Sequence, residues 1–304
     1  MKQKTVSSLL YSAKSKSAVE HVMKVIFVVC GFIAVISVVL ISLYMIFTGG
    51  PAIAKIGPLE FLFGQIWYPE NSQFGILAMI LSSLCGTIGA IIIAVPIGVA
   101  VAVFLSKIAS KRVAGIIRPV IELMSGIPSV VYGLLGAIII VPLIFDLQTA
   151  LGLPTSGSLL AAIIVLVIMI LPTIISISEN ALSAVPKQYY EASLALGATK
   201  MQTIMKVLIP AAKNGIVAGM VLGTGRAIGE AMAVMMVAGN AALMPALLSP
   251  VRLLTVSIPM EWAYSTGTHR EALYGIGLVL FIFIMIINFA LNAILKKGGK
   301  ENAK

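Results

Sequence analysis

The sequence predicts an all-α integral membrane protein with six transmembrane helices, and three observations carry that expectation. Hydrophobic residues make up 60% of the 304 positions, charged residues only 11%, and the mean hydropathy is +1.08. A soluble domain carries about 25% charged residues, so this composition belongs in a bilayer. Six apolar runs reach spanning length: Val25–Phe47, Phe74–Leu105, Pro119–Phe145, Ser158–Ile177, Gly215–Ala238 and Ala272–Leu295. The lysines and arginines also fall in alternate connections between these runs rather than evenly along the chain.

The first run has 23 residues, which at about 1.5 Å per residue rises enough to cross with tilt. Its apolar core exceeds that of a signal peptide, and no small-residue cleavage site precedes Gly49-Gly50-Pro51, which favours an uncleaved anchor. The basic tail before it, residues 1–24, has Val6, Leu9, Leu10 and Ala13 at helical spacing; an interfacial helix and a disordered tail both fit. Runs two and three are over-long and must tilt, protrude or break. Pro96 lies inside the second and Ser125-Gly126-Ile127-Pro128 inside the third, where a break is expected. The six-span unit covers residues 25–295, followed by a basic tail at 296–304.

Orientation follows from charge. With the amino terminus inside, 17 lysines and arginines lie on the cytoplasmic side, against Lys55, Arg252 and Arg270 outside and Arg226 within the membrane. That bias predicts both termini in the cytoplasm. It also accounts for the formal charge of +10 without a nucleic-acid partner.

The connection at about 186–210 is the most informative stretch. Pro186 suits the first turn of a helix, Lys187–Leu196 has helix-forming composition, and Gly197 stands where a left-handed glycine ends one. Thr199 is placed to cap a second short helix, with Pro210 interrupting the chain before span five. The order Glu191-Ala192-Ser193, three residues, Gly197, nine residues, then Val207-Leu208-Ile209-Pro210 resembles the EAA loop of ABC importer permeases. The pattern is E-A-A-x3-G-x9-I-x-L-P, from which Ser193, Val207 and Ile209 depart conservatively. The resemblance implies the type I, MetI-like permease fold. It also implies that Glu191, Ala192, Ser193, Gly197 and Pro210 belong to a coupling element that docks on a separate ATPase subunit.

Span five carries two buried charges, Arg226 and Glu230. A charge in a bilayer costs roughly 2.5–3.5 kcal/mol on insertion scales and marks function or a specific partner. Gly215, Gly219 and Gly223 recur every four residues and Arg226 and Glu230 continue the stripe, predicting one helical face with a smooth groove and an ion pair at its end. Gly225 and Gly229 form a second small-residue pair on an adjoining face. Two readings stand: the charged pair locks helix packing, or it lines a translocation path where the guanidinium meets an oxyanion. Ser125 and Ser129 bracket Gly126-Ile127-Pro128, which reads either as a proline kink or as a half-helix amino terminus facing an anion.

Here the resemblance narrows to phosphate-specific importer permeases, C-type subunit. It rests on Gly225–Val234 with Val237-Ala238-Gly239-Asn240, on Ser125–Leu134, on the run from Arg252 to Leu273 that includes Glu261 and His269, and on Trp67-Tyr68-Pro69. The likeness implies three partners: an A-type (PstA-like) second permease, a dimer of PstB-like ATPase subunits that bind ATP and Mg, and a PstS-like extracytoplasmic phosphate-binding protein. The R-A-x-G-E element alone leaves molybdate and sulfate open, the A-type phosphate permease subunit is a further alternative, and a stand-alone secondary anion transporter or channel is the alternative of another class.

Catalytic readings fail on absences. No phosphate-binding G-x-x-x-x-G-K-[ST] loop, H-E-x-x-H or G-x-S-x-G is present, so no catalytic residue, bound cofactor or metal is expected in this chain. Cys30 and Cys85 sit in apolar runs and are expected to be buried small hydrophobes. His269, without a second histidine nearby, is expected to be a surface contact in an external loop.

Overall fold

The computed structural model describes the backbone of residues 2–301 and the side chains of residues 20–290. The side chains of Val6, Leu9, Leu10 and Ala13 and the basic residues of the 296–304 tail lie outside these described side chains. Six helical segments are long and apolar enough to cross a membrane: Glu20–Ile56, Leu77–Ile108, Ser129–Ala150, Leu159–Ala184, Lys200–Ile228 and Gly267–Ala290.

The first lies in helix α1 (Lys2–Ile56), which is followed by the short α2 (Pro58–Phe63) and a two-stranded hairpin, β1 (Trp67–Tyr68) and β2 (Gln73–Phe74). The second is α3 (Leu77–Val103), which passes straight through Pro96 and ends in a wide π-helical turn, Phe104–Ile108. The expected break at Pro96 is absent, because a membrane helix tolerates proline where its surroundings re-satisfy the freed carbonyl.

The third run does break. Amphipathic α4 (Lys111–Gly126) stops, Ile127 and Pro128 are extended, and α5 (Ser129–Leu135) restarts the chain; a π-helical turn at Gly136–Ile140 joins it to α6 (Val141–Ala150). The single span expected at Pro119–Phe145 is therefore corrected. Its first part is a separate helix with Arg118 and Glu122 on it, and only the part from Ser129 onward is of spanning character.

Helix α7 (Leu159–Ala184) is the hub. Its residues from Leu159 to Ile174 dominate the largest apolar cluster, joined by Ala90 and Ala94 of α3. Gly86, Gly89 and Gly98 of α3 face Leu159, Ile163 and Ile174 in turn, so the two helices run parallel. After the connection α8 (Lys187–Ala195) and α9 (Lys200–Thr203), a π-helical turn at Ile204–Leu208 leads without interruption into α10 (Ile209–Ile228). Pro210 sits directly after the π-helical turn within this continuous helical run and does not interrupt the chain as expected.

Helix α10 returns antiparallel along α7. Gly215, Gly219 and Gly223 meet Ala181, Ile177 and Ile174, and a side chain at Gly215 would overlap Ala181. The glycine groove expected on span five is thus filled by α7. The span ends at Ile228 and not at Ala238: α11 (Met232–Val237) is a separate helix, and a long loop leads to α12 (Leu254–Glu261) and α13 (Gly267–Glu301). A second apolar cluster, with Leu182, Ile204 and Leu208, lies toward the α8–α9 end; a third, with Phe61, Trp67, Phe74 and Leu273, lies toward the hairpin end. Cys30 and Cys85 are both exposed on the flank of the chain, contrary to the expected burial.

Candidate translocation path and docking elbow

At the α8–α9 end the sequence builds a rigid elbow. The Gly197 φ of +85° takes the left-handed turn that ends α8. The Thr199 hydroxyl accepts from Gln202 N–H, and the Gln202 side chain accepts from Thr199 N–H, which makes a reciprocal capping box. The Ser193 and Thr203 hydroxyls lie 2.9 Å apart and tie the two short helices together. The serine that departs from the alanine pattern is therefore a built contact.

No residue of α8 is buried. Glu191, Ala192 and Gly197 are exposed, and Leu196 at the tip is 90% exposed with Tyr189, Met201 and Met205 also open. A loop of polar residues needs no apolar tip; this one leaves a compact apolar and acidic face uncovered by the rest of the chain among the described residues.

The middle of the bundle holds the two charges of span five, and they do not pair. Arg226, in the last turn of α10 and half-buried, donates from Nη1 to Thr173 Oγ1 of α7 at 3.4 Å. Glu230 lies past the helix end, which Gly229 caps. Its buried carboxylate accepts from Ala233 N–H at 2.9 Å and so satisfies an orphan donor of α11, while its backbone carbonyl accepts from the Thr255 hydroxyl at 2.8 Å. The expected ion pair is corrected on this point: +4 spacing brings side chains together only if the helix continues, and here it stops at Ile228. Gly225 also meets nothing within 4 Å, so the second small-residue pair packs on no neighbour among the described residues.

The broken third span flanks this region. Ser129 begins α5 and Ser125 lies exposed near the end of α4. The Tyr132 hydroxyl donates to the Met124 carbonyl at 2.6 Å across the gap, which makes the break a fixed feature and not a simple kink.

Two side-chain clusters escaped the sequence reading. Arg118 of α4 donates from Nε and Nη2 to Glu179 Oε1 of α7, each at 2.6 Å. The polar residues Ser176, Ser178, Glu179 and Asn180 near the end of an apolar run were the available signal. At the hairpin end the buried Glu261 accepts from Trp67 Nε1 at 2.9 Å, pairs with Arg252, and lies 2.8 Å from His269 Nε2. Arg252 also donates to the Asn240 carbonyl at 2.8 Å. One carboxylate thus joins β1, the loop after α11, α12 and α13. His269 is a member of this cluster, a role that no sequence spacing reveals, and it stays part-exposed in a cavity lined also by Tyr68, Glu70 and Tyr264.

No group of three or more His, Cys, Asp or Glu side chains suited to a metal occurs among the described residues.

The family model described as "Binding-protein-dependent transport system inner membrane component" matches residues 94–297, more than half of the chain. The chain belongs to this permease family.

The permease is 39% identical to the "Probable ABC transporter permease protein YqgH" of Bacillus subtilis, an alignment covering 94% of this chain and 95% of that protein. It is 34% identical to the "Phosphate transport system permease protein PstC" of Xylella fastidiosa, covering 82% and 81% of the two chains. Among solved structures, the inward-facing MetNI methionine ABC transporter matches with a TM-score of 0.56 and 25% identity over 71% of the permease and 93% of that chain. The fold is the MetI-like fold of ABC importer permeases expected from the sequence.

Proposed function

We propose that this permease is one transmembrane half of an ATP-driven importer that carries inorganic phosphate across the cytoplasmic membrane by alternating access. The α8–α9 elbow faces the cytoplasm, with both termini, and docks on an ATPase subunit that binds ATP and Mg. A PstA-like permease supplies the other half of the pore, and a PstS-like binding protein delivers phosphate at the hairpin end.

The elbow is the observation that carries this reading. A left-handed glycine, a capping box and a hydroxyl tie hold its shape, yet none of α8 is buried within the chain. Rigidity without burial suits a part that receives force from a partner. Support for phosphate comes from relatives named for phosphate transport and from Arg226, a half-buried guanidinium at the middle of the bundle with only a long hydrogen bond to Thr173 among the described residues. A guanidinium in that state retains donors for a tetrahedral oxyanion.

The cycle follows from these placements. Closure of the ATPase dimer draws the elbows together and opens the hairpin end. Phosphate passes from the binding protein to Arg226, and hydrolysis returns the bundle to the inward-open state.

The test is ATP turnover by the purified complex with its binding protein. Phosphate is expected to stimulate hydrolysis, whereas molybdate and sulfate leave it at the basal rate. Stimulation by molybdate or sulfate but not phosphate would overturn the substrate assignment.

A further inference from the structure

Below Arg226, toward the elbow end, α7 turns polar on one side. Thr173, Ser176, Asn180 and Ser183 follow at helical spacing, and none of them is buried. Thr173 holds Arg226, and Ser176, one turn further on, lines a cavity of about 320 Å³. Asn180, Ser183, Arg118, Glu122 and Glu179 line the same cavity. The stripe therefore leads from the guanidinium at the middle of the bundle to a second one near its end.

The charges there present a problem for an anion. Arg118 is already engaged by Glu179, and Glu122, one turn along α4 from Arg118, has no hydrogen-bond or ionic partner among the described residues. Two carboxylates beside one guanidinium repel an oxyanion that has lost all its protons. They suit one that keeps a proton, because a carboxylate is an acceptor and a P–OH group is a donor. At neutral pH phosphate carries one or two such protons, whereas sulfate and molybdate carry none. The Ser176 hydroxyl and the Asn180 amide supply donors for the remaining oxygens, while the Ser183 hydroxyl is paired with that of Ser106 at 3.2 Å.

We infer that this cavity is an exit subsite for a protonated oxyanion, in which Glu122 accepts from the substrate's own hydroxyl and Arg118 and Asn180 donate to its oxygens. This inference rests on the proposed transport of phosphate and adds a point at which the permease itself distinguishes phosphate from sulfate.

The experiment uses the assembled transporter in lipid nanodiscs without ATP or binding protein, with Cys30 and Cys85 replaced by serine and Ser183→Cys introduced at the exposed edge of the cavity. The probes are inorganic phosphate and sulfate at equal ionic strength, and the readout is the rate of maleimide labelling. Phosphate is expected to slow labelling at least fivefold and sulfate less than twofold, and Glu122→Gln is expected to bring the two within twofold of each other. Should Ser183→Cys disturb assembly, Ser106→Cys, whose hydroxyl oxygen lies 3.2 Å from that of Ser183, reports the same cavity. Equal protection by both anions, no protection by either, or a preference unchanged by Glu122→Gln would overturn the subsite. ATP-dependent phosphate uptake by the same variant in proteoliposomes, with ATP and binding protein supplied, separates the outcomes: uptake with no selective protection sinks the subsite alone, and absent uptake sinks the transport reading.

Discussion

Helices α1 and α7 are equally apolar, yet the spanning window of α1 has none of its residues buried within the chain and that of α7 has 61%. The difference lies in small and polar residues. Along α7, Ala161 and Ala162 admit close neighbours, three glycines of α10 receive its Ile174, Ile177 and Ala181, and three glycines of α3 receive its Leu159, Ile163 and Ile174. Along α1, the flank with Phe27, Phe32 and Ile33 is fully open, and contact with the bundle comes only near its end, at Tyr44, Met45 and Gly49 against α13. In lipid, apolarity gives no drive for helices to associate, and close backbone approach does. Hydropathy therefore finds the spans, and the spacing of small residues decides which becomes the core.

That contrast can be broken by mutation. The largest stability effect is expected at the hairpin end, where Glu261→Ala removes a buried carboxylate and strips the part-buried Arg252 of its counter-charge. Removing one member of a buried pair costs about 3–5 kcal/mol. Thermal unfolding of the purified complex should show the loss, and a change under one degree would place Arg252 and Glu261 in water.

Next comes the α7–α10 seam. Gly215→Leu overpacks Ala181 and is expected to lose about 1–3 kcal/mol. Gly31→Leu on α1 meets nothing within 4 Å and should leave the same unfolding curve unchanged. Equal responses at the two glycines would refute the claim that close approach builds the core.

A smaller stability effect with a large functional one is expected from Gly197→Val. Forcing an L-residue into the left-handed turn costs about 1–2 kcal/mol. ATP turnover should persist while phosphate uptake falls at least tenfold, and undiminished uptake would contradict the docking role.

The smallest stability change belongs to Arg226→Gln, which removes only a 3.4 Å hydrogen bond. Assembly should be preserved and uptake abolished. The exchange Arg226→Glu with Glu230→Arg should fail to rescue uptake, because the two side chains have different partners. Rescue would restore the ion pair that the sequence suggested.

Much of this was legible beforehand. The six spans, the elbow, its left-handed Gly197 and the Thr199 cap follow from local chemistry that a sequence displays directly. Where the reading failed, local rules met a tertiary decision. Pro96 and Pro128 look alike in sequence, yet only Pro128 breaks its helix, with Gly126 and an extended Ile127 before it. Arg226 and Glu230 have ideal pairing spacing, but Gly229 between them ends the helix; a glycine followed by a capping carboxylate was the signal to weigh. The Arg118–Glu179 and Glu261 clusters join segments far apart in the chain, and single-chain periodicity carries no trace of such pairings.

The central claim is that the exposed tip at Leu196 lies in the cytoplasm beneath a separate motor. Leu196→Cys, in a background without Cys30 and Cys85, tests it in sealed vesicles of known orientation with an impermeant maleimide. The account predicts labelling from the cytoplasmic side alone and protection when the ATPase subunit is present. Labelling from the opposite side, or a rate indifferent to the ATPase, would contradict it.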